Sequence, residues 1–331
     1  MTRILGVLGV LVLLYGVLFN THERAGSLSN LIDVANYQGR YGLITLGAAL
    51  VIIVGGIDLS IGSVVGCSAI VFGVLMMEGV HPFAAVPLVI LGGSLIGAVN
   101  GFLITRLRLQ PFLVTLCGMF IIRGIARIVA QPSPHRGTVS LSNVREAHAA
   151  FEQPLLTLRY YLIGKSPLDG ELLFPAQFFL LLLVAVVIGF FLHRTAYGRY
   201  WYAIGHSELA AKYAGVNVNR HRVTVYMIGS ALAAVVGVLL FLNEPSIQSD
   251  NAGVGWELYA ILGAVLGGCS LRGGEGTAVG MVLGAMVLPV IENIVNFRGA
   301  KSDVIPFIVG VTLLSGTILD ELIRRRSRVY R

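Results

Sequence analysis

The chain has 331 residues, of which 56% are apolar and 12% are charged, and it carries a formal net charge of +7. Soluble domains average about 25% charged residues. With a mean hydropathy of +0.81, this composition excludes an ordinary soluble domain and indicates an integral membrane protein. Nucleic acid is not an expected partner, because the basic residues form no stripe with interleaved aromatic side chains.

Ten apolar runs follow one another along the chain, and most approach the roughly 20 residues that a helix needs to cross a bilayer. They cover residues 4–19, 41–55, 58–77, 84–105, 112–130, 175–193, 223–243, 257–270, 277–297 and 304–322. The second and eighth runs are short and run into glycine pairs, so we expect broken helices there. The sequence predicts an all-α polytopic membrane protein, a single transmembrane domain over 1–331.

The first run follows Arg3 and has the charge and length of a signal peptide. No small-residue cleavage site follows it, so we expect a retained anchor. The placement of Lys and Arg sets the orientation, because cytoplasmic loops carry the excess. With the N-terminus inside, fourteen basic residues fall in cytoplasmic segments and eight, including Arg40, on the opposite side. This bias predicts a multi-pass protein with both termini in the cytoplasm.

A first glycine break contains Gly55, Gly56, Asp58 and Ser60. A charge at membrane depth costs at least ~2.5–3.5 kcal/mol on insertion scales, so Asp58 must face protein or water, or cap a helix. We favour the cap, in which Asp58 accepts hydrogen bonds from amides near Ser60 and Ile61. The alternative is that Asp58 lines the translocation path. Either role places it beside a moving part, because glycines let the backbone bend.

A second break, GGCSLRGG, begins at Gly267 and Gly268 and ends at Gly273 and Gly274. It loosely echoes GGIDLSIG at 55–62. The echo is consistent with an internal repeat, which is common in transporters, although short glycine motifs also coincide by chance.

Arg123 and Arg127 are four residues apart in the fifth run and therefore lie on one helix face. We expect Arg123 to be a buried charge with an acidic partner, and Arg127 to be an interface anchor whose long side chain reaches the headgroups. The candidate partners of Arg123 are Asp58, Glu257, Glu275 and Glu292.

Glu292, Asn293 and Asn296 form a polar group in the ninth run. Glu292 and Asn296 share a helix face. They either line a polar path for sugar hydroxyls or pack polar helix ends near the outer surface, and the sequence leaves both interpretations open.

Residues 131–174 form the one sizeable polar insert, which the orientation places in the periplasm. The insert contains Gly164-Lys165-Ser166, which resembles the tail of a phosphate-binding loop. That motif needs a glycine at position 159, where Arg159 stands, and no apolar strand precedes it. We therefore expect no nucleotide site here.

No catalytic or metal-binding pattern stands out. Cys67, Cys117 and Cys269 are far apart, each in or beside an apolar run, so we interpret them as packing residues. No nucleophile, catalytic dyad or ligand cluster accompanies them. The sequence predicts a protein that is not an enzyme and holds no metal.

A polar segment, residues 199–222, separates the sixth and seventh runs and contains a short helix. Ser207 can cap this helix, Glu208 lies in its first turn, where the helix dipole favours an anion, and Gly215 can end it. Its apolar face is small for a helix lying on lipid, so we favour a docking surface for a cytoplasmic partner. The small side chains available for docking are those of Ala210, Ala211 and Ala214.

Four stretches resemble the permease subunits of ribose-type ABC sugar importers. They are GGIDLSIGS at 55–63, NGFLITRLRLQPFLVTLCGMFIIRG at 100–124, TAYGRYWYAIGHSELAAKYAGVNVNRHRVTVYMIGSALAAVVGVL at 195–239 and GVGWELYAILGAVLGGCSLRGGEGTAVGMVLGA at 253–285. They occur in the family's order, and their combination is specific, whereas any one glycine motif alone would be a weak signal.

The resemblance implies a bacterial inner-membrane complex of two permeases, ABC ATPase subunits and a periplasmic sugar-binding protein. ATP and Mg²⁺ would be bound by the partner ATPase, and this chain would need no cofactor. The resemblance also implies that 205–215 is the coupling helix that contacts the ATPase. The predicted contact residues are Ser207, Glu208, Ala210, Ala211, Lys212 and Gly215.

Some segments depart from the family pattern, among them His206, the polar stretch 241–253 and the insert 131–174. These departures leave open which monosaccharide or similar small polar solute is carried, and whether the second permease is a copy or a related chain. The alternative function is an ion-coupled secondary transporter that uses Asp58 or Glu292 and needs no ATPase.

Overall fold

The computed structural model describes residues 2–131, 137–166 and 171–299, together with 304–308, 310, 311 and 314. Its α-helices are α1 (Thr2–Thr21), α2 (Leu28–Ile53), α3 (Ile61–Met77), α4 (Pro82–Arg106), α5 (Pro111–Ala130), α6 (Leu141–Ala147), α7 (Glu152–Ile163), α8 (Ala176–Arg194), α9 (Ala196–His206), α10 (Glu208–Tyr213), α11 (Val218–Asn243), α12 (Trp256–Leu266) and α13 (Ala278–Phe297). Short 3-10 turns cover Glu23–Gly26 and Ala149–Phe151, and the strands are β1 (Thr138–Ser140) and β2 (Ser246–Gln248).

Among the described residues, five helices are long and apolar enough to cross a membrane: α4, α5, α8, α11 and α13. α3 and α12 are shorter apolar helices. The prediction of a helical, polytopic membrane protein is therefore confirmed. Most of the predicted tenth run, 304–322, lies outside the described residues. Residues 304–308 of this run are described, and they are helical.

α11 is the central helix, and it packs against α4, α3 and α2. Small residues permit this close approach. A Cβ atom at Gly97 of α4 would lie 2.2 Å from the carbonyl oxygen of Tyr226 on α11, and one at Gly47 of α2 would lie 3.1 Å from the Cα of Gly229. Backbones that approach so closely are typical of helix packing in membranes.

The second run is a much longer helix than the sequence predicted. α2 begins at Leu28 and continues for 26 residues, because its polar side chains find partners inside the protein. Gln38 Nε2 donates to the hydroxyl of Tyr15 at 2.7 Å, and Arg40 Nη1 lies 3.5 Å from Glu244 Oε1. Arg40 is buried within α2, so its predicted position in an outer loop is wrong.

The described part of the insert folds onto the end of α11. β1 pairs antiparallel with β2, a small ribbon that the all-α prediction lacked. Arg159 Nε donates to the carbonyl of Leu242 at 3.1 Å, and Lys165 Nζ donates to the carbonyl of Asn243 at 3.0 Å. Two cations thus satisfy carbonyls at the C-terminal end of a long helix, where the helix dipole favours positive charge.

Gly164 ends α7 in the left-handed region, at φ +84°. The Gly164-Lys165-Ser166 segment therefore takes part in a helix end and in capping α11. Burial, followed by the nearby charge of Arg159, lowers the pKa of Lys165 from its ordinary value.

Candidate functional site

The segment between α8 and α11 forms two consecutive helices, α9 and α10. Ser207 Oγ accepts a hydrogen bond from the amide of Ala210 at 3.2 Å and so caps α10. Glu208 pairs with Lys212 within the helix and with Arg222 Nη2 at 2.9 Å. The hydrogen bond from Lys212, followed by the charge of Arg222, lowers the pKa of Glu208. Because Arg222 belongs to α11, α10 is fastened to the central helix.

The outer surface of α10 is more apolar than the sequence interpretation assumed. Leu209 and Tyr213 are 61% and 84% exposed, and they stand four residues apart on one face. Ala210 is exposed beside them, whereas Ala211 is buried against the protein. The prediction that Ala211 belongs to the docking surface is therefore wrong. The sequence contains the signal for Leu209 and Tyr213, because they are the large apolar residues of this short helix and are spaced four residues apart.

Two further predicted docking residues lie at the ends of α10. Lys212 is exposed, and Gly215 follows the helix at φ +81°, a left-handed conformation that favours glycine.

α9 packs where the two glycine breaks meet. The amide of Gly274 donates to the carbonyl of Ile53, the last residue of α2, at 2.9 Å. The hydroxyl of Tyr202 on α9 donates to the carbonyl of Gly276 at 2.7 Å. A Cβ atom at Gly205 of α9 would lie 1.9 Å from the Ile53 oxygen and 2.3 Å from the Gly274 nitrogen. The segment that carries α10 is therefore in direct backbone contact with both breaks.

Asp58 is buried at the start of α3. Its Oδ1 accepts from the amide of Ser60 at 2.8 Å and from the hydroxyl of Ser60 at 2.6 Å, while Asn100 Nδ2 donates to Ser60 Oγ at 3.0 Å. The helix begins at Ile61. Asp58 Oδ2 has no hydrogen-bond partner among the described residues. Ser60 occupies the N-cap position of α3, and Asp58 bonds this cap residue, with no bond from the Ile61 amide to Asp58 among the described residues. The cap and path roles of Asp58 both stay predictions.

The other glycines of the breaks have different surroundings. Gly55 adopts φ +78° where the chain leaves α2, and Gly56 lies against the hydroxyl of Tyr226. A Cβ atom at Gly267 would lie 2.3 Å from the carbonyl oxygen of Gly280, so this glycine allows α12 and α13 to cross closely. Gly268 turns the chain after α12 at φ +90°.

Arg123 pairs with Glu257, one of its four candidate partners. The Arg123 Nη2 to Glu257 Oε1 distance is 3.2 Å, and the side chains are 23% and 9% exposed. Arg123 is therefore less buried than predicted, and its ion pair joins α5 to α12. Arg127 Nε lies 2.8 Å from Asp250 Oδ1 at an exposed position, so it forms an ion pair in addition to any contact with headgroups.

Glu292 and Asn293 of α13 contact α2. The hydroxyl of Tyr41 donates to Glu292 Oε1 at 3.3 Å, and the amides of Asn293 and Asn30 bond reciprocally, at 2.9 and 3.2 Å. The residues predicted to line the path or to form helix breaks thus lie at the Asp58 break, at the α12–α13 crossing and at the α2–α13 contact, and Asn296 is exposed apart from them.

The described residues contain no group of three or more His, Cys, Asp or Glu side chains placed to hold a metal ion. Cys67 and Cys269 are buried, and Cys117 is exposed. The geometry offers an exposed apolar face on α10, glycine turns at helix ends and polar contacts between helices.

Comparison with known proteins matches residues 30–315 to the family described as "Branched-chain amino acid transport system / permease component". The ribose import permease protein RbsC of Escherichia coli (strain K12) is 31% identical over 294 residues, which are 89% of this chain and 86% of the relative. RbsC of Bacillus subtilis (strain 168) is 32% identical, over 88% and 84% of the two chains. The fructose import permease protein FruG of Bifidobacterium longum (strain NCC 2705) is 32% identical, over 96% and 89%. No solved structure matches.

Proposed function

Since this chain belongs to the branched-chain amino acid transport permease family and is a permease component of an ABC importer, we propose that it carries a monosaccharide or a similar small polar solute. The ribose and fructose permeases among its relatives support this cargo class. The observation that carries the mechanism is the junction of Gly205, Ile53 and Gly274, because it links α10 mechanically to the ends of the membrane helices.

The proposed topology has ten spans, with residues 199–222 and both termini in the cytoplasm of a bacterium and the insert 131–174 in the periplasm. Two groups of contacts support it. The end of α2, α9 and the loop after α12 meet at one end of the bundle. The insert caps the far end of α11, next to the buried Arg40. The excess of Lys and Arg in the segments at the first end favours the cytoplasm.

In the proposed cycle, a loaded binding protein docks on the periplasmic face of two permeases. A partner ATPase binds ATP and Mg²⁺, and its closure moves α10. The Glu208–Arg222 ion pair transmits this movement to α11, and α9 transmits it to the two glycine breaks. These movements open the route alternately to the two faces of the membrane.

Polar groups at the start of α3 and on α4, α5 and α12 are the candidate lining of that route. They comprise Asp58, Ser60 and Asn100 at one level and the Arg123–Glu257 pair at another. Weak contacts with sugar hydroxyls suffice there, because the binding protein selects the cargo.

Affinity purification of the tagged chain, expressed with its native neighbours in mild detergent, tests the proposal. We expect an ABC ATPase to co-purify with the wild type and to be lost from the Leu209→Ser, Tyr213→Ser double variant. The matched control is Tyr161→Ser, which removes another well-exposed tyrosine side chain, from α7 at the opposite end. Size-exclusion chromatography checks that each permease remains folded.

Two outcomes contradict different parts of the proposal. ATPase retained by the double variant at the wild-type level shows that α10 is not the docking surface. A wild-type permease that is isolated repeatedly without an ATPase, although the ATPase is expressed, favours the ion-coupled secondary transporter.

A further inference from the structure

An open groove of about 410 Å³ lies beside α9, at the end of the bundle assigned to the cytoplasm. Its wall is mainly apolar. Val187 and Phe191 of α8 are each nearly half exposed along it, and Ile228 of α11 and Leu50 of α2 form its deeper part. An apolar, outward-facing groove on a membrane-spanning helix is in contact with acyl chains unless another protein covers it.

Polar groups at the mouth of this groove favour an anion. Arg220 is exposed in the first turn of α11, and its guanidinium forms no ion pair with the residues that the structure describes. The dipole of this 26-residue helix adds positive potential at the same end. The groove therefore combines an apolar wall with a cation that lacks a counter-ion.

Aromatic side chains of α9 also form part of the wall. Trp201 lines the groove and is 4% exposed. Tyr197, one turn earlier on α9, also lines the groove. Trp and Tyr side chains are typical of the membrane–water interface.

From these groups we infer that the groove binds one anionic phospholipid of the cytoplasmic leaflet. Its acyl chain lies against Val187 and Phe191, its phosphate pairs with Arg220, and its interfacial region lies beside Trp201 and Tyr197. Charge complementarity identifies this occupant. The headgroup of a zwitterionic lipid carries a positively charged amine as well as a phosphate, and Arg220 repels that amine, whereas an anionic headgroup carries no such amine. The inference rests on the proposed orientation of α9 but not on the identity of the cargo or of the ATPase.

Such a lipid would bridge α8, α9 and α11. Because α9 contacts the glycine breaks through Tyr202 and Gly205, the bound lipid would hold in place the helix that connects α10 to the membrane bundle.

Fluorescence quenching tests the site directly. The chain has two tryptophans, so Trp256→Phe leaves Trp201 as the one indole, and phenylalanine preserves an aromatic contact with Tyr41. The purified full-length variant is reconstituted in phosphatidylcholine vesicles containing a minor fraction of either brominated-chain phosphatidylglycerol or brominated-chain phosphatidylcholine. We expect Trp201 to be quenched by the anionic lipid with an apparent affinity about fivefold higher, as one basic residue near an anionic headgroup provides.

Two further variants in the same background decide the role of Arg220. Arg220→Gln should remove the preference for phosphatidylglycerol. Arg106→Gln, which removes an exposed arginine from the last turn of α4 on the same side of the bundle, should leave it unchanged.

Three results would overturn the inference. Equal quenching by both lipids in the Trp256→Phe protein denies the anionic preference, and a preference that survives Arg220→Gln denies the role of this residue. Absence of quenching by either brominated lipid, as expected if a second copy of the chain covers the groove, denies the lipid itself.

Discussion

The amide of Gly274 lies 2.9 Å from the carbonyl oxygen of Ile53, so the loop after α12 is hydrogen-bonded to the last residue of α2. Gly205 of α9 packs directly against both groups. Three segments that are far apart in sequence therefore share one backbone contact, and any side chain added at Gly205 must push them apart.

Gly205→Ala should consequently weaken both stability and transport. The new Cβ atom would lie within 2.3 Å of two backbone atoms, and overpacking of this kind typically costs about 1–3 kcal/mol. Thermal unfolding in detergent and uptake by cells measure the two effects. The matched control is Gly92→Ala on α4, where a Cβ atom would meet no heavy atom within 4 Å. If the two alanine variants unfold at the same temperature, the tight junction is not present in the protein.

The Arg123–Glu257 pair should contribute a measurable coupling energy between α5 and α12. Arg123→Gln and Glu257→Gln each leave a partly buried charge without its partner, and the double variant leaves none. We expect the double variant to be more stable than the sum of the single effects predicts, with a coupling of about 0.5–3 kcal/mol. Chemical or thermal unfolding of the four proteins gives this value, and strictly additive effects would show that the ion pair is not formed.

The long apolar helices could be predicted closely from sequence because their apolar runs have clear ends. The run 112–130 corresponds to α5, Pro111–Ala130, and the run 277–297 to α13, Ala278–Phe297. The first half of α2 could not be predicted in this way. Its polar residues resemble a loop, and only the folded protein supplies partners such as Tyr15 for Gln38 and Glu244 for Arg40.

In the candidate site, contacts between sequence neighbours could be predicted, whereas contacts between segments far apart in the sequence could not. Ser207 as the cap of α10 and the bond from the Ser60 amide to Asp58 are local, and the residue types and spacing indicate them. The contact of α9 with both breaks joins positions more than 60 residues apart and leaves no periodic signal. The ribbon of β1 and β2 was missed because each strand has three residues, too few for an alternating pattern.

Replacement of Asp58 should separate its structural role at the start of α3 from an ion-coupling role. Asp58→Ala leaves the buried Ser60 amide and hydroxyl without their acceptor, and a buried donor left unsatisfied typically costs about 1–3 kcal/mol. Asp58→Asn retains an Oδ1 acceptor, so we expect near-wild-type thermal stability and ATP-dependent uptake. Uptake that is abolished in a stable, assembled Asp58→Asn protein, together with wild-type uptake that collapses with an uncoupler, would instead support the secondary transporter.

The anchoring of α10 should depend on the ionisation of Glu208. The Lys212 hydrogen bond, followed by the charge of Arg222, lowers the pKa of this carboxyl. The unfolded chain therefore binds more protons than the folded one near the usual glutamate pKa of about 4.3, so the stabilisation is present above that value and is lost as the pH falls through the lowered pKa. Because Glu208 is partly exposed, the effect should be small.

Glu208→Gln should accordingly unfold at a slightly lower temperature than the wild type at pH 7. The difference should begin to shrink as the pH falls below about 4.3 and should vanish below the lowered pKa of Glu208. Glu146→Gln serves as the control, since Glu146 is exposed on α6 and forms no ion pair with the described residues. A temperature difference between wild type and Glu208→Gln that stays constant as the pH falls from 7 until the carboxyl groups of the protein are protonated would show that ionised Glu208 does not hold α10 against Arg222.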